Sequence, residues 1–207
     1  MELVAYIGLD IQFVRLRQTD RDRGLVFIDM YDLPHTDLSA FAGLIITNYV
    51  DEEFMLLHRS IFDDYLEAGG VICSLAEMSK SYLPNAPIWH RSPTSIRERE
   101  IQLTEPVYPM FAGIDPYDLN YRQGVKGFFT RGYFKEVPKG AHIIVQDESG
   151  APIMYVDRQS TNGVLIVGSG TDLYQVYRDE KSSANRLASQ MIEVICNEAH
   201  KRKEQHA

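Results

Sequence analysis

The chain has 207 residues, 44% hydrophobic and 24% charged, with 21 Lys plus Arg against 29 Asp plus Glu. That balance suits a single globular domain over residues 1–207, with about 201–207 as a frayed tail. A net charge of −8 without a basic block argues against nucleic-acid binding, and no apolar run reaches the ~20 residues that cross a bilayer.

The opening MELVAYIGLD carries Glu2 and no basic start, so it reads as a first buried strand (Met1 to Ile7) and not as a secretory leader. The two cysteines, Cys73 and Cys196, are too few for a disulfide framework, and a reducing, cytoplasmic setting is expected. IQFVRLR, from Ile11, fits either a short helix or one arm of a β-ribbon. Arg15, Arg17, Arg21 and Arg23 are diluted by Asp20 and Asp22 and read as a solvated surface. Val26 to Met30 is a second strand, and DLPHTDLSAF is a connector.

Gly43 to Thr47 is a continuous apolar run, as in a strand buried on both faces. Asp51 is a good helix N-cap, with Glu52 and Glu53 in the first turn. Phe54, Leu57, Ile61 and Tyr65 recur at helical spacing up to the Gly69-Gly70 stop, and Val71 to Ser74 forms the next strand. Strand, helix and strand with short joints predict a parallel pair. Beyond Leu83 the chain is irregular, as in PNAPIWHRSPTS, before further strands at 101–103, 125–129, 142–146 and 153–157. DESGAP is a hairpin turn between the last two. Gly163 to Val167 is another apolar strand, followed by GSGTD. A helix from about Ser182 to Lys201 closes the chain, with Ala184, Leu187, Ala188, Met191, Val194 and Ile195 on one stripe. The fold class expected is α/β, with a mostly parallel central sheet flanked by helices and an antiparallel extension.

The order of GLIIT, EAGG, VICS, VYPMFAGID and NGVLIVGSGTD, across Leu44 to Asp172, resembles the class I glutamine amidotransferase-like superfamily, in particular its trehalose-utilisation (ThuA-like) branch. The resemblance implies a flavodoxin-like sheet whose central turn, after VICS, holds a cysteine in amidotransferases and a histidine in the ThuA-like branch. Here Leu75 stands at the ThuA-like histidine's place, Thr171 at that of the late histidine and Tyr108 at that of the histidine before Pro109. These departures argue against inherited catalysis.

Cys73 and Ser74 are the weak nucleophile candidates. A strained elbow favours small residues two positions away, whereas Cys73 is flanked at that distance by Val71 and Leu75. Burial of Cys73 as a small apolar side chain is the competing reading. Ser74 and Glu77 also have capping-box spacing for a following helix. His90, in IWHRSP, is the candidate base. It shares its loop with Arg91, a residue suited to a carboxylate or phosphate. GSGTD stands at the carboxyl end of a predicted parallel strand, where open α/β sheets bind ligands. It is neither a phosphate loop nor a dinucleotide fingerprint, so no cofactor is expected. Cys196 and His200, at i and i+4, are too few for a metal site.

The expected ligand-binding residues are Asn48, Tyr49, Ser74, Glu77, His90, Arg91, Thr171 and Asp172. Three functions compete: a non-catalytic domain that binds a small molecule or serves as a protein-assembly module, a hydrolase or amidase using Cys73 or Ser74 with His90, and a pure interaction protein. An aromatic patch from Phe128 to Phe134 would mark the third. The partners expected are a small molecule, a second copy of the chain or a larger protein complex, without nucleic acid or membrane.

Overall fold

A computed structural model describes residues 2–168, 170–178 and 181–206. The first strand, β1 (Val4–Gly8), pairs in parallel with β2 (Leu25–Asp29) on one side and β3 (Gly43–Ile46) on the other. The IQFVRLR segment between β1 and β2 is helical, in two short pieces, α1 (Asp10–Phe13) and α2 (Gln18–Arg21).

The βαβ unit forms as its pattern predicts. Asp51 caps α3 (Glu52–Leu57) by accepting from the Glu53 and Phe54 N–H groups. One expectation fails here. The helix breaks at His58 and resumes as α4 (Arg59–Glu67), and the break shifts the phase of the apolar stripe. Leu57 is left in solvent, while Met55, Phe62, Tyr65 and Leu66 carry the packing. Gly69 then takes a left-handed turn, with φ of 86°, into β4 (Val71–Ser74), which lies parallel to β3.

No helix follows β4. The chain wanders to β5 (Trp89–Arg91), so the Ser74–Glu77 capping box has no helix to cap. The region up to residue 134 carries β6 (Ile101–Leu103), α5 (Pro116–Asn120), β7 (Tyr121–Arg122), β8 (Val125–Lys126) and β9 (Gly132–Phe134). The expected strand at 125–129 is cut to its first two residues, because Gly127 turns the chain at φ of 90°. β5 pairs with β9 and β7 with β8, as two small ribbons outside the main sheet. Phe129 and Phe134 are core residues, and only Phe128 of the expected aromatic patch reaches solvent substantially.

The hairpin appears as β10 (His142–Asp147) and β11 (Pro152–Asp157), and β12 (Val164–Gly168) follows. The main sheet has eight strands in the order β2-β1-β3-β4-β12-β11-β10-β6. The first five are parallel, and β11, β10 and β6 extend the sheet antiparallel. Because β12 is inserted between β4 and β11, the parallel and antiparallel parts are one sheet. The expected α/β class, mostly parallel with an antiparallel extension, is therefore the observed one.

After α6 (Leu173–Val176), α7 (Leu187–His206) covers one face of the sheet. All six residues of its predicted stripe are buried, and they join Val4, Tyr6, Ile45, Cys73 and Ile166 in one core. The helix runs on to His206, beyond the expected end near Lys201. On the opposite face Ala5, Ile7, Leu44, Ile72 and Val167 pack with Phe62, Tyr65 and Leu66. Among the described residues, no helix is long and apolar enough to cross a membrane.

Candidate functional site

The carboxyl ends of β1, β3, β4 and β12 lie together at one end of the parallel sheet, where open α/β sheets form a binding crevice, and the side chains at its floor are polar. Thr47, directly after β3, donates from Oγ1 to Gln12 Oε1 at 2.8 Å, and the Leu9 N–H reaches the same oxygen at 3.0 Å. An N–H can be met only by an acceptor, so the Leu9 contact fixes which end of the Gln12 amide is oxygen. Gln12 Nε2 is then left buried without a partner. Gly8 makes this approach feasible, because a Cβ there would stand 2.4 Å from Gln12 Oε1 and 2.8 Å from Thr47 Oγ1.

A second cluster lies beneath β12. Asp172 caps α6 by accepting from the Gln175 N–H, and its carboxylate also accepts from the Tyr6 hydroxyl. Burial pushes the Asp172 pKa up to about 6, against the pull of Tyr6, the backbone N–H groups and Arg178. Arg178 in turn pairs with Asp20 at 2.7 Å, and Tyr174 donates to the same carboxylate at 2.9 Å.

The structure brings part of the predicted set together. Asn48 and the exposed Tyr49 follow β3, Ser74 ends β4, and Thr171 and Asp172 follow β12. Of the GSGTD phrase, Ser169 lies outside the described residues. Gly170 adopts φ of 67°, and a Cβ there would lie 2.6 Å from Glu77 Cγ and 3.4 Å from Trp89 Nε1, which brings Glu77 and the β5 ribbon to the mouth of the crevice. Arg91 departs from this group. It lines a separate hollow with other arginines.

The nucleophile candidates occupy two faces of one strand. Cys73 is fully buried in the core under α7, and burial, aided by the Asp172 charge, pushes its thiol up to about 12. Ser74 is buried on the opposite face, close to the Tyr82 hydroxyl, although neither oxygen has a well-formed partner. His90 lies 6.2 Å, ring to ring, from Tyr133, and among the described residues it bonds to neither Cys73 nor Ser74. The residue at the central turn is Leu75. It is fully buried, and its N–H donates to the Ile46 carbonyl at 2.9 Å. The arrangement has a polar floor, and among the described residues Cys73 and Ser74 are not paired with a histidine base.

A solved structure shares this architecture. A Thermoplasma acidophilum protein provisionally assigned to GMP synthase, as one of its subunits, aligns over 100% of this chain and 99% of its own, with a TM-score of 0.59 at 9% identity. The fold is glutamine amidotransferase-like. The exo-β-1,4-mannosidase Op5Man5 from Opitutaceae bacterium strain TAV5 aligns over 100% of this chain but 36% of its own, with a TM-score of 0.49 at 14% identity. No family model and no curated protein matches the chain in sequence.

Sequence reasoning missed Tyr6, Gln12, Thr47, Tyr82 and Gln175. Their signal was weak. Tyr6 and Thr47 read as members of apolar strands, and Gln12 belongs to a segment of ambiguous period. A concavity of about 1150 Å³ also lies elsewhere, at the amino ends of the strands between α4 and the 33–42 connector. Among the described residues no histidine or cysteine lines it, and the candidate site is taken from the polar floor and not from volume.

Proposed function

We propose that the protein is a non-catalytic amidotransferase-like module of the ThuA-like type, which binds a small ligand in the crevice above β1, β3, β4 and β12. The observation that carries this reading is Leu75. At the turn where the fold's enzymes hold a reactive side chain, this chain places a fully buried leucine with no helix behind it. A nucleophile elbow needs its reactive atom lifted clear of the strand, and Cys73 sits inside β4 instead. The buried and unpartnered Gln12 Nε2 favours retained binding, because an orphaned amide is costly unless something meets it. The ligand is taken to contact Asn48, Tyr49, Ser74, Glu77, Thr171 and Asp172, with His90 on the ribbon beside the mouth.

Thiol titration tests the catalytic half of this reading. In the native protein a maleimide should label Cys196, which is half-buried, and leave Cys73 unlabelled until denaturant is added. Rapid native labelling of Cys73 with an apparent pKa below ~8.5 would restore the enzyme reading. Thermal-shift screening of metabolites tests the other half, since hits should disappear in Gln12→Leu. Hits that survive this substitution would place binding outside the crevice.

A further inference from the structure

The hollow that takes Arg91 away from the crevice has a volume of about 530 Å³ and is lined by Arg91, Arg97, Arg99 and Arg131. Four arginines around one hollow are conspicuous in a chain of net charge −8. No carboxylate lines the hollow. The backbone forces the cations together. Arg91 pairs with Gly132 across the β5–β9 ribbon, and the Ser92 N–H donates to the Arg131 carbonyl at 3.0 Å. A turn at Ser95, whose carbonyl accepts from the Glu98 and Arg99 N–H groups, returns Arg99 to the same place.

Arg99 is the decisive residue. It is only 4% exposed. Its Nη2 donates to the Thr130 carbonyl at 2.8 Å, while Nη1 is buried without a partner. Glu148 and Asp147 are near enough to favour its charge, but their carboxylates are engaged elsewhere. Asp147 accepts from Ser149 and Ala151, and Glu148 accepts from the Glu100 N–H. Among the described residues, Arg91, Arg97, Arg99 and Arg131 form no ion pair. A guanidinium held out of water with one nitrogen unpartnered and no carboxylate in contact, beside further cations, is an unfavourable arrangement that a bound anion relieves.

We propose that this hollow binds a phosphate-class oxyanion, with Arg99 at its base and Arg91, Arg97 and Arg131 at its rim. The planar guanidinium fork matches two oxygens of a tetrahedral anion, and the Thr94 and Ser95 hydroxyls add donors along the wall. The volume exceeds that of a bare phosphate and leaves space for an attached organic group. This inference does not depend on the crevice reading, because none of its four arginines lies on the polar floor.

The test is calorimetry and thermal unfolding of the full chain at constant ionic strength, with inorganic phosphate, glycerol phosphate or chloride. Both phosphates should bind and raise the melting temperature above that in chloride. Arg97→Ala and Arg131→Ala, whose side chains are exposed, should each weaken binding about tenfold. Arg59→Ala, outside the hollow, should leave binding unchanged. Arg99→Met should abolish binding, and the two rim variants decide the matter should that variant fail to fold. Tighter binding of glycerol phosphate assigns the site to an organic phosphate, and equal binding assigns it to the free ion. No stabilisation beyond chloride, or undiminished binding in the Arg97→Ala, Arg131→Ala double variant, would overturn the proposal.

Discussion

The Tyr6 hydroxyl donates to the Asp172 carboxylate across 166 residues of sequence, tying the middle of the first strand to the turn after the last. Tyr6 lies in the sheet interior and Asp172 at a helix cap, so one proton acceptor ties β1 to the segment after β12. Burial raises the Asp172 pKa from 3.8 to about 6, so folding favours its protonated form. That contribution is fully present below about pH 4 and is lost as the pH rises through 6. Between pH 4 and pH 7 the wild type should lose about 2 kcal/mol relative to Asp172→Asn, less than the whole shift at about 1.36 kcal/mol for each unit of pKa, because the unfolded carboxyl already titrates near pH 4. Urea unfolding of both proteins at the two pH values checks this. A constant difference between them would mean that Asp172 titrates normally.

Asp20 is fully buried and accepts from Arg17 N–H, the Tyr174 hydroxyl and Arg178. Removing Arg178 leaves the buried charge with only the longer Arg23 ion pair, at 4.0 Å. Arg178→Met should destabilise by about 3 kcal/mol, and Asp20→Asn in that background should recover part of the loss. Equal effects of Arg178→Met with and without Asp20→Asn would show that the pair is not coupled.

Gly8→Ala should cost about 2 kcal/mol, because its new methyl must displace both Gln12 and Thr47 from the crevice floor. Chemical denaturation gives the loss. A near-neutral outcome would mean that the floor yields easily and is not a fixed binding surface.

Leu75→Ala should cost about 3 kcal/mol, the usual penalty for a cavity in a packed core. A loss below about 1 kcal/mol would show that the central turn tolerates small residues, as a working elbow does.

The sheet was legible because its strands announce themselves. GLIIT, VICS and GVLIV are short apolar runs bounded by glycine or cap residues, and the stripe on α7 keeps period over several turns. Between 75 and 134 little was legible beyond the strand at 101–103, which is β6. The ribbons of this region are two or three residues long, held by pairing with distant segments and not by any local period. The site was read halfway. GSGTD and Ser74 were found from their place at strand ends, whereas Gln12 and Thr47 are joined only by folding, 35 positions apart. Arg99 sits in the mixed-charge run RERE, where nothing marks one arginine as buried and its neighbours as exposed.

The placement of β12 has a consequence for synthesis. Until Val164–Gly168 emerges, β4 and β11 are both open edges, and each is almost wholly apolar. The nascent chain thus holds two half-sheets, each able to recruit a strand from a neighbouring molecule. The strand that unites them arrives with more than three quarters of the chain already made. A ribosome that stalls before it would release a sticky intermediate, and one that finishes delivers the wedge that seals both edges at once.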